Sequence, residues 1–134
     1  MNEALSLIHK YFPDAQAVYL FGSYSTQFQR NDSDVDLAIL LPPLQAKTLG
    51  NLVAHARLED IIGVMNRNVD LINLRMVDTV FQHLIIQTGR VLSDIDPFER
   101  AYFEILVMGK YQKLNQERSE ILADIQKTGT VFLS

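Results

Sequence analysis

The chain has 134 residues, 12 lysines and arginines against 16 aspartates and glutamates for a formal net charge of −4, 48% apolar and 21% charged residues, and neither cysteine nor tryptophan. This is ordinary globular usage, enough for one domain with one core, and it excludes disordered and collagen-like classes. Without cysteine there is no disulfide framework, thiolate zinc site or cysteine nucleophile; the metal ligands left are oxygens and three scattered histidines, a set that favours a hard cation. No apolar run approaches the about 20 residues a bilayer needs, and Met1-Asn2-Glu3 lacks the basic start and apolar run of a signal peptide, so a cytoplasmic protein with no membrane partner is expected. A mildly acidic chain without a lysine or arginine cluster also speaks against direct nucleic-acid binding, which depends on neutralising phosphates.

In chain order, Asn2 to Phe12 carries Leu5, Ile8 and Phe12 at helical spacing and stops at Pro13, which predicts a short amphipathic helix. Ala17-Val18-Tyr19-Leu20-Phe21 is a continuous apolar run ending in Gly22-Ser23, a buried strand entering a tight turn. A second strand is expected from Asp34 to Leu41, closed by Pro42-Pro43. From about Gln45 to Asn66, Leu49, Leu52, Val53, Ala56, Ile61, Ile62 and Met65 fall on a helical period and predict one crossover helix.

Asn68 to Leu74 reads as a third strand, Val77 to Thr88 as a helix with Gly89 as its C-terminal cap, and Arg90-Val91-Leu92 as a short fourth strand. Asp96-Pro97, an N-cap residue followed by an N1 proline, opens a last helix reaching about Lys127. Alternating strands and helices predict an α/β or α+β sheet domain. The last helix would be about 45 Å long, more than a domain of this size can cover. Its stripe of Phe98, Tyr102, Ile105, Leu106, Tyr111, Leu114, Ile121, Leu122 and Ile125 either packs on the sheet or faces a partner.

The chemistry lies in Gly22-Ser23, ten further residues, Asp34-Val35-Asp36, and another acid, Asp70, on the third predicted strand. Strand residues two apart point to the same face about 6.6 to 7 Å apart, so Asp34 and Asp36 project side by side from the start of their strand. Asp32 adds to their field, and Asp70 sits among Val69, Leu71 and Ile72, where an unpaired carboxylate is costly. One nearby cation, Arg30, cannot neutralise three or four acids. Mg²⁺ can: it takes oxygen ligands, commonly one or two carboxylates completed by water and a substrate's phosphates. Glycine lets the backbone approach a phosphate closely, and turn N–H groups with a serine hydroxyl cradle anionic oxygens. A nucleoside triphosphate would then lie between the turn and the acids.

Gly22-Ser23-x10-Asp34-x-Asp36, within Phe21-Gly22-Ser23-Tyr24-Ser25 and Ser33-Asp34-Val35-Asp36-Leu37-Ala38, resembles the signature of the polymerase-beta-like nucleotidyltransferase superfamily. It is similar in particular to the minimal nucleotidyltransferase antitoxins encoded beside a HEPN-domain ribonuclease toxin. One position departs: those proteins usually carry a glycine five residues after the motif glycine, where this chain has Gln27. The resemblance implies a polymerase-beta-like core, a small mixed sheet flanked by helices, over about residues 15–93 of a single domain 1–134, with a long C-terminal helix over about 97–127. It implies that Asp34 and Asp36 hold two Mg²⁺ ions, that Asp70 binds the second and assists deprotonation of the acceptor hydroxyl, and that Gly22 and Ser23 hold the β- and γ-phosphates of ATP. The implied reaction is transfer of AMP to a tyrosine of the HEPN toxin with release of pyrophosphate.

His9, His55 and His83 have no metal spacing and read as surface or packing residues, and Arg30 either touches the triphosphate or offsets Asp32. The toxin's own motif, an arginine followed after four to six residues by histidine, is absent, so this chain is not the ribonuclease. Two other functions compete with protein adenylylation. One is a stoichiometric antitoxin that masks the ribonuclease through the long helix without chemistry; the other is nucleotidyl transfer to a small-molecule hydroxyl, as in larger relatives with an added substrate domain.

Overall fold

The structure, a computed structural model, describes residues 1–22, 34–50 and 55–128. The elements are α1 (Asn2–Tyr11), β1 (Ala17–Phe21), β2 (Val35–Leu40), α2 (Pro43–Leu49), α3 (His55–Met65), β3 (Val69–Asn73), α4 (Thr79–Thr88), β4 (Arg90–Asp94) and α5 (Pro97–Thr128), with a single 3-10 turn at Leu74–Met76. The strands form one mixed sheet in the order β3-β2-β1-β4. β1 pairs antiparallel with both β2 and β4, and β2 pairs parallel with β3.

Both faces of the sheet are covered, which is why β1 and β2 are apolar along almost their whole length rather than alternating with polar residues. On one face Val18, Leu20, Val35, Leu37, Ile39, Val69 and Leu71 pack against Ala4, Ile8 and Phe12 of α1, Ala46 of α2 and Ile61 of α3. On the other, Ala17, Tyr19, Phe21, Ala38 and Leu40 pack against Ile85 of α4 and Phe103 and Val107 of α5. The period of two along each strand deals successive side chains to opposite layers.

The predicted strands and the first helix are found within a residue or two of their expected ends. The single crossover helix over 45–66 is not: it is two helices. Gly50 ends α2 with φ +60, a left-handed conformation that costs glycine nothing, while its N–H bonds to Ala46 O. The buried Asn73 amide then donates to Ala46 O and Gly50 O at 2.9 and 2.8 Å, tying the end of α2 to the end of β3. Leu52 and Val53 of the expected helix lie outside the described residues.

Helix α4 begins two residues later than expected because Asp78 is its N-cap, its carboxylate accepting from Phe81 N at 2.8 Å. Gly89 does follow α4, but with φ −82 it is not a left-handed cap. Space is what requires glycine there, since a Cβ would lie 2.5 Å from Ile85 O and 3.0 Å from Leu20 O, both backbone. In α5, Asp96 caps as expected, accepting from Glu99 N at 3.2 Å. The residues that α5 buries on the sheet are Phe103 and Val107, not the predicted stripe; Phe98, Tyr102, Ile105, Leu114, Ile121 and Leu122 are all exposed.

Polar contacts fasten α5 to the sheet. The buried Tyr19 hydroxyl donates to Glu104 of α5 at 2.7 Å, and Arg100 bridges Glu104 to Asp94 of β4. Burial first, then Glu104, pushes the Tyr19 hydroxyl well above the usual phenol range, so it stays a neutral donor. At the opposite end of the sheet from the start of β2, Arg75 donates to Leu41 O and Gln16 Oε1 and lies over the Phe103 ring.

Because no neighbour at Gly89 is a flexible side-chain end, Gly89→Ala is expected to destabilise the fold by about 1–3 kcal/mol. In urea unfolding this appears as a lower midpoint at unchanged slope; a midpoint equal to the parent's would show that the α4–β4 junction yields freely.

Candidate active site

The sheet topology gathers the predicted acids at one corner. Asp36 is the second residue of β2; it lies in register with Phe21, the last residue of β1, and with Asp70, the second residue of β3. Residues in register across neighbouring strands share a face. That face is the one Ala38 and Leu40 present to α4 and α5, so the carboxylates stand at its edge. Asp34 immediately precedes β2 and is exposed.

Asp70 is exposed as well. The flanking Val69 and Leu71 point into the opposite layer, so burial is not what makes its charge costly. The strained group is Asp36, half-buried, whose carboxyl is pushed above the usual range by burial first, then by the charges of Asp70 and Asp34 and by a hydrogen bond with Asp70. Every one of these influences acts in the same direction, and together they describe a cluster short of positive charge.

Gly22 completes the corner. Its φ is +77, and a Cβ there would fall on Oδ2 of Asp36 and lie 3.3 Å from its carboxyl carbon. Glycine is thus required twice, by the backbone and by the space that the Asp36 carboxylate occupies. Ser23 and Arg30, the other phosphate-side candidates, lie outside the described residues.

The donor set suits a hard divalent cation: carboxylate oxygens only, two of them in contact and a third beside them. Among the described residues no three acids or histidines close around one metal position. Magnesium commonly takes one or two carboxylates and leaves the remaining positions to water and phosphate oxygens.

The histidines have structural partners where described. His9 Nε2 bonds to Ser93 Oγ at 2.8 Å, and the His83 ring stacks on Tyr111 with centroids 3.6 Å apart. Sequence reasoning did not single out Phe81, which meets Phe21, the residue opposite Asp36, edge-to-face with ring centroids 5.7 Å apart. Its position inside an ordinary apolar helix carried no signal.

A family model for polymerase beta nucleotidyltransferases matches residues 3–98. The chain belongs to that family. The protein adenylyltransferase MntA of Shewanella oneidensis is 31% identical to this nucleotidyltransferase over 124 residues, 92% of this chain and 86% of MntA. A crystal structure of a toxin–antitoxin with AMP-PNP superposes with TM-score 0.74 at 27% identity, covering 93% of this chain and 97% of that one. A second structure, of the tri-AMPylated Shewanella oneidensis HEPN toxin in complex with MNT antitoxin, matches with TM-score 0.67 at 26% identity over 93% of this chain and 94% of that one. The expected fold and the resemblance to minimal nucleotidyltransferase antitoxins are borne out. The family model stops at Phe98, one residue into α5, whereas matches this extensive to the toxin–antitoxin structures take in most of that helix. No helix among the described residues is long and apolar enough to cross a membrane.

Because Asp36 is desolvated and repelled by its neighbours, Asp36→Asn is expected to raise the melting temperature in EDTA-treated buffer while removing one of the candidate metal-binding carboxylates. Gly22→Ala is expected to do the reverse, lowering stability by about 1–2 kcal/mol through the left-handed backbone alone. Thermal melts of the two variants beside the parent check both signs.

Proposed function

We propose that the protein is an antitoxin that neutralises a HEPN ribonuclease toxin by transferring AMP from ATP to a tyrosine of that toxin. The observation that carries this reading is the corner where Asp36 and Asp70 meet in register beside Gly22, in a chain whose relatives include a protein adenylyltransferase and an antitoxin bound to an AMPylated toxin. In this reading the catalytic core spans about residues 15–93 of a single 134-residue domain, with α5 as its partner-facing arm. ATP and the ribonuclease place its work in the cytoplasm.

Asp34, Asp36 and Asp70 would hold two magnesium ions, which when bound supply Lewis-acid stabilisation of charge on the triphosphate and on the entering and leaving oxygens. Gly22 and Ser23 receive the β- and γ-phosphates through backbone N–H groups and the serine hydroxyl. The acceptor hydroxyl oxygen forms its new bond to the α-phosphorus. The bond from that phosphorus to the oxygen bridging the β-phosphate breaks, and pyrophosphate leaves with the electron pair. The hydroxyl proton passes to Asp70, the exposed member of the pair and the one open to solvent. An AMP group installed near the toxin's ribonuclease site adds bulk and negative charge where RNA must bind, and excludes it by sterics and repulsion.

The exposed apolar residues of α5 favour a second reading, neutralisation by masking alone. The two part on one experiment. Asp34→Asn with Asp36→Asn is expected to cut AMP transfer, measured as mass gain of the toxin, by at least about a hundredfold, as loss of a principal electrostatic stabiliser does. Chelation of divalent cations is expected to do the same to the parent. Full protection from the toxin by the folded, toxin-binding double variant would show that masking suffices.

A further inference from the structure

The two acids that meet across the sheet belong to a row of three, and the third member is apolar. Phe21 of β1, Asp36 of β2 and Asp70 of β3 are in register. Residues directly opposite on an antiparallel pair have Cβ atoms about 4.5–5.5 Å apart on one face. Asp36 therefore has a carboxylate on one side and a phenyl ring on the other. The next row inward is Tyr19, Ala38 and Ile72, so Phe21 stands where the apolar layer under α4 and α5 ends and the acids begin.

Phe21 ends its strand, yet it is only 9% exposed. Phe81 of α4 packs against it, the two rings meeting at 86° with centroids 5.7 Å apart. Phe81 lies in the first turn of α4, where the Asp78 carboxylate accepts from its N–H at 2.8 Å. A capped first turn fixes the backbone from which that ring projects, and an edge-to-face pair has a preferred geometry of its own. The end of β1 is thus braced from α4.

The residue that this brace controls is the next one along the chain. Gly22 follows Phe21 in a left-handed conformation, packed so closely that a Cβ would fall on the Asp36 carboxylate. With no slack between them, a shift at the end of β1 moves the Gly22 backbone directly against Asp36 or away from it. Misplacement by about 1 Å at a reacting centre costs up to about a hundredfold in rate, even when the altered residue touches no substrate. Simple filling of the core would act differently. It would lower stability alone, as at Ile85, which is wholly buried one turn further along α4.

We propose that Phe81 is a positioning residue: by bracing Phe21 it holds the Gly22 backbone in place against Asp36, and with it the seat of the nucleotide's phosphates. The proposal rests on the nucleotide-binding reading of the corner, and its test is the affinity for AMP-PNP with Mg²⁺, measured by calorimetry. Phe81 also lines an apolar groove with Val80, Leu84 and Leu114, so toxin is left out and no docking contact enters the result. The variants are Phe81→Leu, Phe21→Leu, the two together, and Ile85→Val as a destabilised control. Thermal melts establish folding, and Phe81→Met replaces Phe81→Leu if the latter melts below the assay temperature. Each single leucine variant is expected to weaken nucleotide binding by at least about threefold, within the range one aromatic pair is worth. The double variant is expected to lie within about twofold of the weaker single, since both changes remove the same contact. Ile85→Val is expected to melt lower than the parent and to bind nucleotide within about twofold of it. Parental affinity in Phe81→Leu, losses that multiply in the double variant, or an equal loss from Ile85→Val each overturns the proposal. A parent that does not bind AMP-PNP with Mg²⁺ overturns the nucleotide reading and this proposal with it, whereas a parent that binds it but leaves the toxin unmodified overturns adenylylation alone.

Discussion

The parallel pairing of β2 with β3 forces two like-charged side chains, Asp36 and Asp70, into register at the edge of a packed sheet. Nothing local favours that contact. The pairing is held by Val35, Leu37, Ile39, Val69 and Leu71, buried in the layer beneath α1 and α3, and a slip of one residue would turn all of them out to the other face. Register specified by the core is thus what holds the carboxylates together, and a cation with a phosphate is the natural relief for the repulsion it imposes. Gly22 belongs to the same constraint, since the volume its side chain would fill is taken by the Asp36 carboxylate.

The other layer connects this corner to the outside. Phe21 and Tyr19 alternate with the residues of the first layer, so the face that carries the acids is also the face on which α4 and α5 rest. Tyr19, Glu104, Arg100 and Asp94 anchor the first turns of α5 through buried or half-buried hydrogen bonds. Beyond Val107 the helix leaves the sheet, and among the described elements it runs beside α4. An acidic corner, an apolar groove and an overhanging helix therefore follow from one arrangement: two strand faces, one packed against α1, α2 and α3, the other against α4 and the first turns of α5.

Legibility in the sequence followed burial. The strands β1 and β2 were readable because residues sealed on both faces are apolar along almost their whole length, and the Asp96-Pro97 start because capping is a local hydrogen bond. The division of the crossover into α2 and α3 was not, because Leu49 to Met65 keeps a helical period across the break and the decision rests with Gly50 and with Asn73, a residue more than twenty positions away. The sheet-facing side of α5 stayed open for a related reason. Apolar residues lie all around its first turns, and only the position of Tyr19 and Leu40 beneath it selects Phe103 and Val107 as the buried ones.

At the site, the residue types and their spacing pointed to the proposed chemistry by themselves: a glycine at a strand end, two aspartates two residues apart and a third on a later strand suit a hard cation and a phosphate. The fold decided which acid bears the strain. Linear context pointed to Asp70, flanked by valine, leucine and isoleucine, yet those flanking Val69 and Leu71 turn away into the other layer and leave Asp70 exposed, while Asp36 is half-buried between its partners. Neighbours along a strand lie on opposite faces and neighbours across strands lie on the same one, so the field at a carboxylate is set by pairing, which no stretch of sequence contains.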